Sequence, residues 1–161
     1  MTIARAALLA LLTSIAACHR AKPATGAAMT ERIVHGTVSV QGTAFEQRLV
    51  LNSGSGPIRL HASTTDSVAL VRVAGLYLSV HGVDEAGALA VKTFTVVSVN
   101  GAPVVDGVLR VDGDRVYIDT ASGARLLGNP PSALRRMDGT RVWIEGPLDT
   151  GPNQYGIIVP R

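Results

Sequence analysis

Gly75-Leu76-Tyr77-Leu78-Ser79-Val80-His81-Gly82 and Gly139-Thr140-Arg141-Val142-Trp143-Ile144-Glu145-Gly146 align without a gap, each bounded by glycine. In the first stretch Leu76, Leu78 and Val80 alternate with Tyr77, Ser79 and His81. That is the period of a β-strand with one face in a core. Working outward, the match continues. Gly36-Thr37-Val38-Ser39-Val40-Gln41-Gly42 corresponds to Gly107-Val108-Leu109-Arg110-Val111-Asp112-Gly113. The nine residues from Arg48 to Gly56 correspond to Arg115 to Gly123, and Ala69 to Gly75 to Ala133 to Gly139. Order is kept throughout and only loop lengths differ, which marks an internal repeat.

Each unit reads as three strands, a short helical turn, and two further strands. Helix-start chemistry precedes the fourth strand in both: Ser63 and Thr64 can cap in the first unit, and Asn129 with Pro130 and Pro131 in the second. The fold class expected is all-β. A five-stranded barrel with a helical turn between strands three and four resembles the OB-fold, and the resemblance implies two tandem OB-like barrels. An SH3-like barrel or one continuous sandwich is also compatible with these signals. The units expected are residues 32–100 and 101–161. Each is small enough to be marginal alone, so the two should pack together across Asn100-Gly101-Ala102-Pro103.

The amino terminus has a different grammar. Arg5 precedes the apolar run Ala6 to Leu12, followed by Thr13, Ser14 and Ile15. The run is too short to span a bilayer and suits a secretory signal, residues 1–17. Ile15-Ala16-Ala17-Cys18 is similar to the lipobox of bacterial lipoproteins, with Ile where Leu is commoner. The resemblance implies cleavage before Cys18, a diacylglycerol on its sulfur, and a membrane anchor followed by a flexible tether, residues 18–31. His19 is not the Asp associated with inner-membrane retention, which leans toward the outer membrane, facing the periplasm. Cys18 is the only cysteine, so an internal disulfide is excluded.

Composition limits the partners. The 161 residues carry a net charge of +3, and removal of Arg5 with the signal leaves about +2, too little to name a polyanion. With only one Trp, three Tyr and two Phe, the chain also lacks the aromatic supply of a single-strand nucleic-acid binder.

No catalytic motif emerges. Gly54-Ser55-Gly56 lacks the Lys-Ser/Thr of a phosphate loop and reads as a hairpin turn. His35, His61 and His81, or Asp106, Asp112, Asp114 and Asp119, lack metal-ligand spacing. Asp84, Glu85, Asp114 and Asp149 fall in turns, not as a facing pair. The expectation is a non-enzyme without cofactor or metal. The alternatives are an envelope hydrolase acting on glycans or esters, and an oligosaccharide or single-stranded nucleic-acid binder using an OB-like face.

Alternation in the second unit turns Leu109, Val111, Val116, Ile118, Val142 and Ile144 inward, and Arg110, Tyr117, Arg141 and Trp143 outward. These four outward residues are the candidate binding residues, since aromatics beside arginines can stack on a ligand. The competing reading has them cover the interface between the two units. The expected partners are the membrane, through the anchor, and an envelope protein or oligosaccharide.

Overall fold

The computed structural model describes residues 30–43 and 46–160, so Cys18, the lipobox and almost all of the tether lie outside the described residues. The fold is mostly β. In chain order the elements are β1 (Glu31–Gln41), β2 (Arg48–Ser53), β3 (Gly56–His61), α1 (Thr64–Arg72), β4 (Tyr77–Glu85) and β5 (Ala88–Val99). The second repeat follows with β6 (Ala102–Asp112), β7 (Arg115–Thr120), β8 (Gly123–Leu127), a 3₁₀ turn (Leu134–Arg136), β9 (Arg141–Glu145) and β10 (Gln154–Val159).

Pairings in the first repeat form a closed cycle. β1 pairs antiparallel with β2 and β4, β2 with β3, and β4 with β5. A short parallel contact, Leu60 opposite Leu89 and His61 opposite Ala90, joins β3 to β5 and completes it. The second repeat copies four of these pairings, β6–β7, β7–β8, β6–β9 and β9–β10. Its fifth is missing among the described residues, which departs from the expectation of a second five-stranded barrel. β10 begins only at Gln154, because Pro147 and Pro152 have no N–H to donate to a strand partner. A loop contact stands in for the strand: the Gly128 N–H donates to the Leu148 carbonyl at 2.6 Å.

The repeat extends to individual hydrogen bonds. Gly75 N–H donates to the Val38 carbonyl and Gly139 N–H to the Leu109 carbonyl, both at 2.8 Å. Val38 N–H donates to Leu76 and Leu109 N–H to Thr140. In the β2–β3 and β7–β8 turns, the Ser53 and Thr120 hydroxyls donate to the carbonyls of Gly56 and Gly123. Gly54-Ser55-Gly56 is thus part of a hairpin. Gly36 and Gly107 share one cause: a Cβ on either would stand 2.5 Å from a carbonyl oxygen of the next strand, that of Asn52 or Asp119.

Two cores result. The first gathers, among others, Val38, Leu51, Leu70, Leu78, Val80 and Phe94, these six at most 3% exposed. The second gathers Leu109, Val116, Ile118, Leu134, Val142 and Ile144. Each fully buried Leu or Ile contributes about 1.5–3 kcal/mol. The inward set read from the sequence is this core, with Val111 packed partly buried against it.

Helix α1 starts where Ser63 caps it, its Oγ accepting from the Asp66 N–H at 3.1 Å while donating to the Asp66 carboxylate at 2.6 Å. Ala69 and Leu70 face the first core. The second repeat differs from expectation here too. Asn129 caps nothing; it takes a positive φ of 40° and its side chain donates to the Thr150 carbonyl. The helical segment shrinks to the 3₁₀ turn, whose first N–H groups bond the Pro131 carbonyl.

The repeats meet through a hairpin and a docked face. Asn100 and Gly101, with φ of 49° and 83°, form a two-residue turn between β5 and β6. Such paired positive φ values match the twist of the flanking strands, and Asn-Gly is the favoured sequence for them. Trp143 and Ile158 of the second repeat then sit in the first core cluster.

Candidate binding face

β7, β6 and β9 turn a common outer surface away from the second core, and the four candidate residues lie on it. The structure divides them into two groups. At one end, Arg141 and Trp143 are covered by the first repeat. At the other, Arg110 and Tyr117 stand open to solvent, Arg110 exposed and Tyr117 half-buried.

At the covered end, Trp143 is only 8% exposed and packs in the first core cluster, so it is not an exposed stacking surface. The reason is the small size of each unit: the outer face of β6 and β9 is apolar enough to serve as a wall of its neighbour. Arg141 reaches the free edge of β5. Its guanidinium donates through Nε and Nη2 to the two oxygens of Asp106, each at 2.8 Å, and through Nη2 to the Phe94 carbonyl at 2.5 Å. Its Cζ lies 4.6 Å from the Phe94 ring centroid. Asp106 Oδ2 also accepts the Val96 N–H at 2.8 Å. The pair therefore satisfies a donor and an acceptor on a strand edge that β3 is too short to reach. This is the interface role weighed for these residues on sequence grounds.

At the open end, cross-strand register sets Arg110 opposite Tyr117 and Tyr117 opposite Leu126. One row thus crosses three strands. Arg110 Cζ lies 4.5 Å from the Tyr117 ring centroid, and Arg110 Nε is held by Asp119 Oδ2 at 3.2 Å. Val108 and Leu126 are 40% and 53% exposed on the same surface. Apolar side chains flanking an oriented guanidinium form a platform that can stack on a planar or ring-shaped group while the free N–H donors select an acceptor. Leu126 and Val108 escaped the sequence reading, although their alternation with Leu127 and Leu109 marks them as outward.

A second feature was not anticipated from the sequence. A groove of about 570 Å³ opens between β1, β2, β3 and α1 of the first repeat, lined in part by Gln47, Arg48, Arg59, His61 and Ser67. Arg59 and His61 alternate along β3 and so share a side, which is the signal that could have found it. His61 thereby sits at a rim. His35 is exposed and stacks with Tyr77, ring centroids 6.5 Å apart. Among the described residues, no group of three or more His, Cys, Asp or Glu is arranged to hold a metal ion, and no helix is long and apolar enough to cross a membrane. No protein-family model and no curated protein matches this chain.

Proposed function

We propose that this chain is a lipid-anchored, non-catalytic binding or scaffold protein of the bacterial envelope, built on two tandem OB-like units of which the first closes through its strand pairings. The OB-like reading is supported by the order of pairings in the first repeat and by α1 standing between β3 and β4. Lipid attachment at Cys18 and an outer-membrane location facing the periplasm rest on the lipobox resemblance alone.

The observation that carries the binding role is the Arg110–Tyr117–Leu126 row. It is the outer face of the first three strands of its unit, and its exposed apolar and cationic groups do nothing for either core. The ligand class that fits is an envelope oligosaccharide or a protein segment offering a ring and a hydrogen-bond acceptor. The test is co-sedimentation of the membrane-extracted protein with insoluble envelope polysaccharide, comparing the native chain with Arg110→Ala/Tyr117→Ala. Binding should fall at least tenfold while the unfolding free energy changes by only about 0.5 kcal/mol per substitution, as for surface changes in general. Unchanged binding of the variant would remove the role from this face. Intact mass decides the anchor: acyl chains on a chain beginning at Cys18, absent from Cys18→Ala, are expected.

The groove of the first repeat favours a second reading. Its volume is that of a small-molecule site, and Arg48, Arg59 and His61 suit a carboxylated or otherwise anionic sugar. Loss of binding in Arg59→Ala, with none in the Arg110/Tyr117 variant, would choose it.

A further inference from the structure

Among the described residues the repeats dock through one face beside the β5–β6 hairpin, and each repeat retains an exposed half of that same contact. On the docking side, the second repeat offers Val104, Asp106, Arg141, Trp143 and Ile158. Strand register identifies their counterparts. Ile33 pairs with His81 and His35 with Ser79, as Val104 pairs with Glu145 and Asp106 with Trp143. Both final hairpins carry the same irregularity, skipping Val97 in one and Ile158 in the other. The counterparts are therefore Ile33, His35, Tyr77, Ser79 and Val97. Where Trp143 and Ile158 are 8% and 0% exposed, Ile33, Tyr77 and Val97 are 62%, 42% and 36% exposed.

On the accepting side, the first repeat offers the edge of β5, with the Phe94 carbonyl, the Val96 N–H and the Phe94 ring. By the same register the second repeat holds Tyr155 and Ile157 at these positions. β10 pairs only with β9 among the described residues. Val96 is 1% exposed; its counterpart Ile157 is 38% exposed, although it pairs with the buried Val142 and so faces the core. The second core is thus uncovered where the first is covered.

From these two exposed halves we infer that copies of this chain associate head to tail, the outer face of β1 and β4 in one copy docking on the β10 edge of the next. The chemistry is kept in kind. An imidazole nitrogen of His35 accepts from the Ile157 N–H as Asp106 does from Val96, and the Tyr77 hydroxyl donates to the Tyr155 carbonyl as Arg141 does to Phe94. A contact between unlike faces leaves one free half at each end of a pair, so it adds further copies in a row, or in a ring where the rotation closes. With Ser79 in place of Trp143, it buries less than the internal contact and belongs to the weak, reversible class.

Cysteine pairing tests this in the full chain extracted from membranes, with the native protein, which bears only Cys18, as background. Tyr77→Cys mixed with Ile157→Cys should give a disulfide-linked dimer under mild oxidation. Either variant alone should give no more than background, and the doubly substituted chain should give a ladder. Absence of the mixed dimer overturns the inference. So does equal dimer from Tyr77→Cys alone, which would mean like faces meeting. Since both substitutions are at exposed positions but could still weaken contact, sedimentation of the native chain gives an independent reading: concentration-dependent species larger than a monomer are expected, and their loss in Ile33→Glu. A monomer at all concentrations overturns it. In the Tyr77→Cys variant, liposome-dependent protection of the introduced thiol without cross-linking would overturn it too, assigning the face to lipid.

Discussion

The carboxylate of Asp106 and the guanidinium of Arg141 meet side-on in two hydrogen bonds of 2.8 Å, and between them they bond both free backbone groups of Phe94 and Val96. Asp106 is 3% exposed and Arg141 26%. A bidentate pair so placed fixes the orientation of one repeat on the other more than it adds net stability, because desolvation of the charges offsets their attraction. Removing one partner is different. Asp106→Ala leaves the Val96 N–H without its acceptor and Arg141 without its counter-charge, with a cost of about 2–4 kcal/mol, lessened by the partial exposure of Arg141. Urea denaturation checks this, and a double-mutant cycle with Arg141→Ala should show strong non-additivity.

The single tryptophan gives a second prediction. A Cβ on Gly156 would stand 2.5 Å from the Trp143 ring, so the absence of a side chain there admits the indole to the contact between repeats. Gly156→Ala should cost about 1–3 kcal/mol through forced displacement of the ring. The native emission of Trp143 should be blue-shifted, as for a ring 8% exposed, and should move to the red in the variant before global unfolding. A smaller residue at 143 relieves the clash, so Gly156→Ala/Trp143→Leu should lose less than the two single losses together.

These two contacts also mark how far the sequence could be read. Alternation found the inward set Leu109, Val116, Ile118, Val142 and Ile144, because burial on one face of a strand repeats every second residue. It found Arg141 and Trp143 as outward with equal success. Outward from one core, however, is inward to another when two small units pack together, and no local period distinguishes a solvent-facing Trp from a docked one. Asn129-Pro130-Pro131 misled for a related reason: its helix-start chemistry is real, but Asn129 bonds the 146–153 loop instead and only a 3₁₀ turn follows. The missing fifth pairing was legible in Pro147 and Pro152, which a reading by repeat passed over.

Capping at Ser63 should matter where Asn129 does not. Ser63→Ala removes both the bond from the Asp66 N–H and the reciprocal bond to its carboxylate, at a cost of about 1 kcal/mol. Ser63→Gly should lose only a few tenths, since Gly is itself tolerated as a cap. Asn129→Gly keeps the positive φ and leaves the first two N–H groups of the 3₁₀ turn bonded to the Pro131 carbonyl, so thermal unfolding should show only the small loss of the bond to the Thr150 carbonyl and no capping loss.

Glu31 ties β1 to its neighbours, and its contribution should depend on pH. The Lys92 ammonium, hydrogen-bonded at 2.8 Å, holds the Glu31 carboxyl below its ordinary value of 4.5, with His81 Nε2 at 3.0 Å adding a smaller pull in the same direction. A carboxyl whose pKa is depressed in the folded state stabilises above its unfolded value and loses that contribution as pH falls through the folded one. The native chain should therefore unfold at a higher temperature than Glu31→Gln near neutral pH. The gap should begin to narrow at about pH 4.5 and vanish below the folded pKa. Because the group is half exposed, added salt should also narrow it at neutral pH. A gap that persists unchanged into acid would trace the role of Glu31 to packing and not to charge.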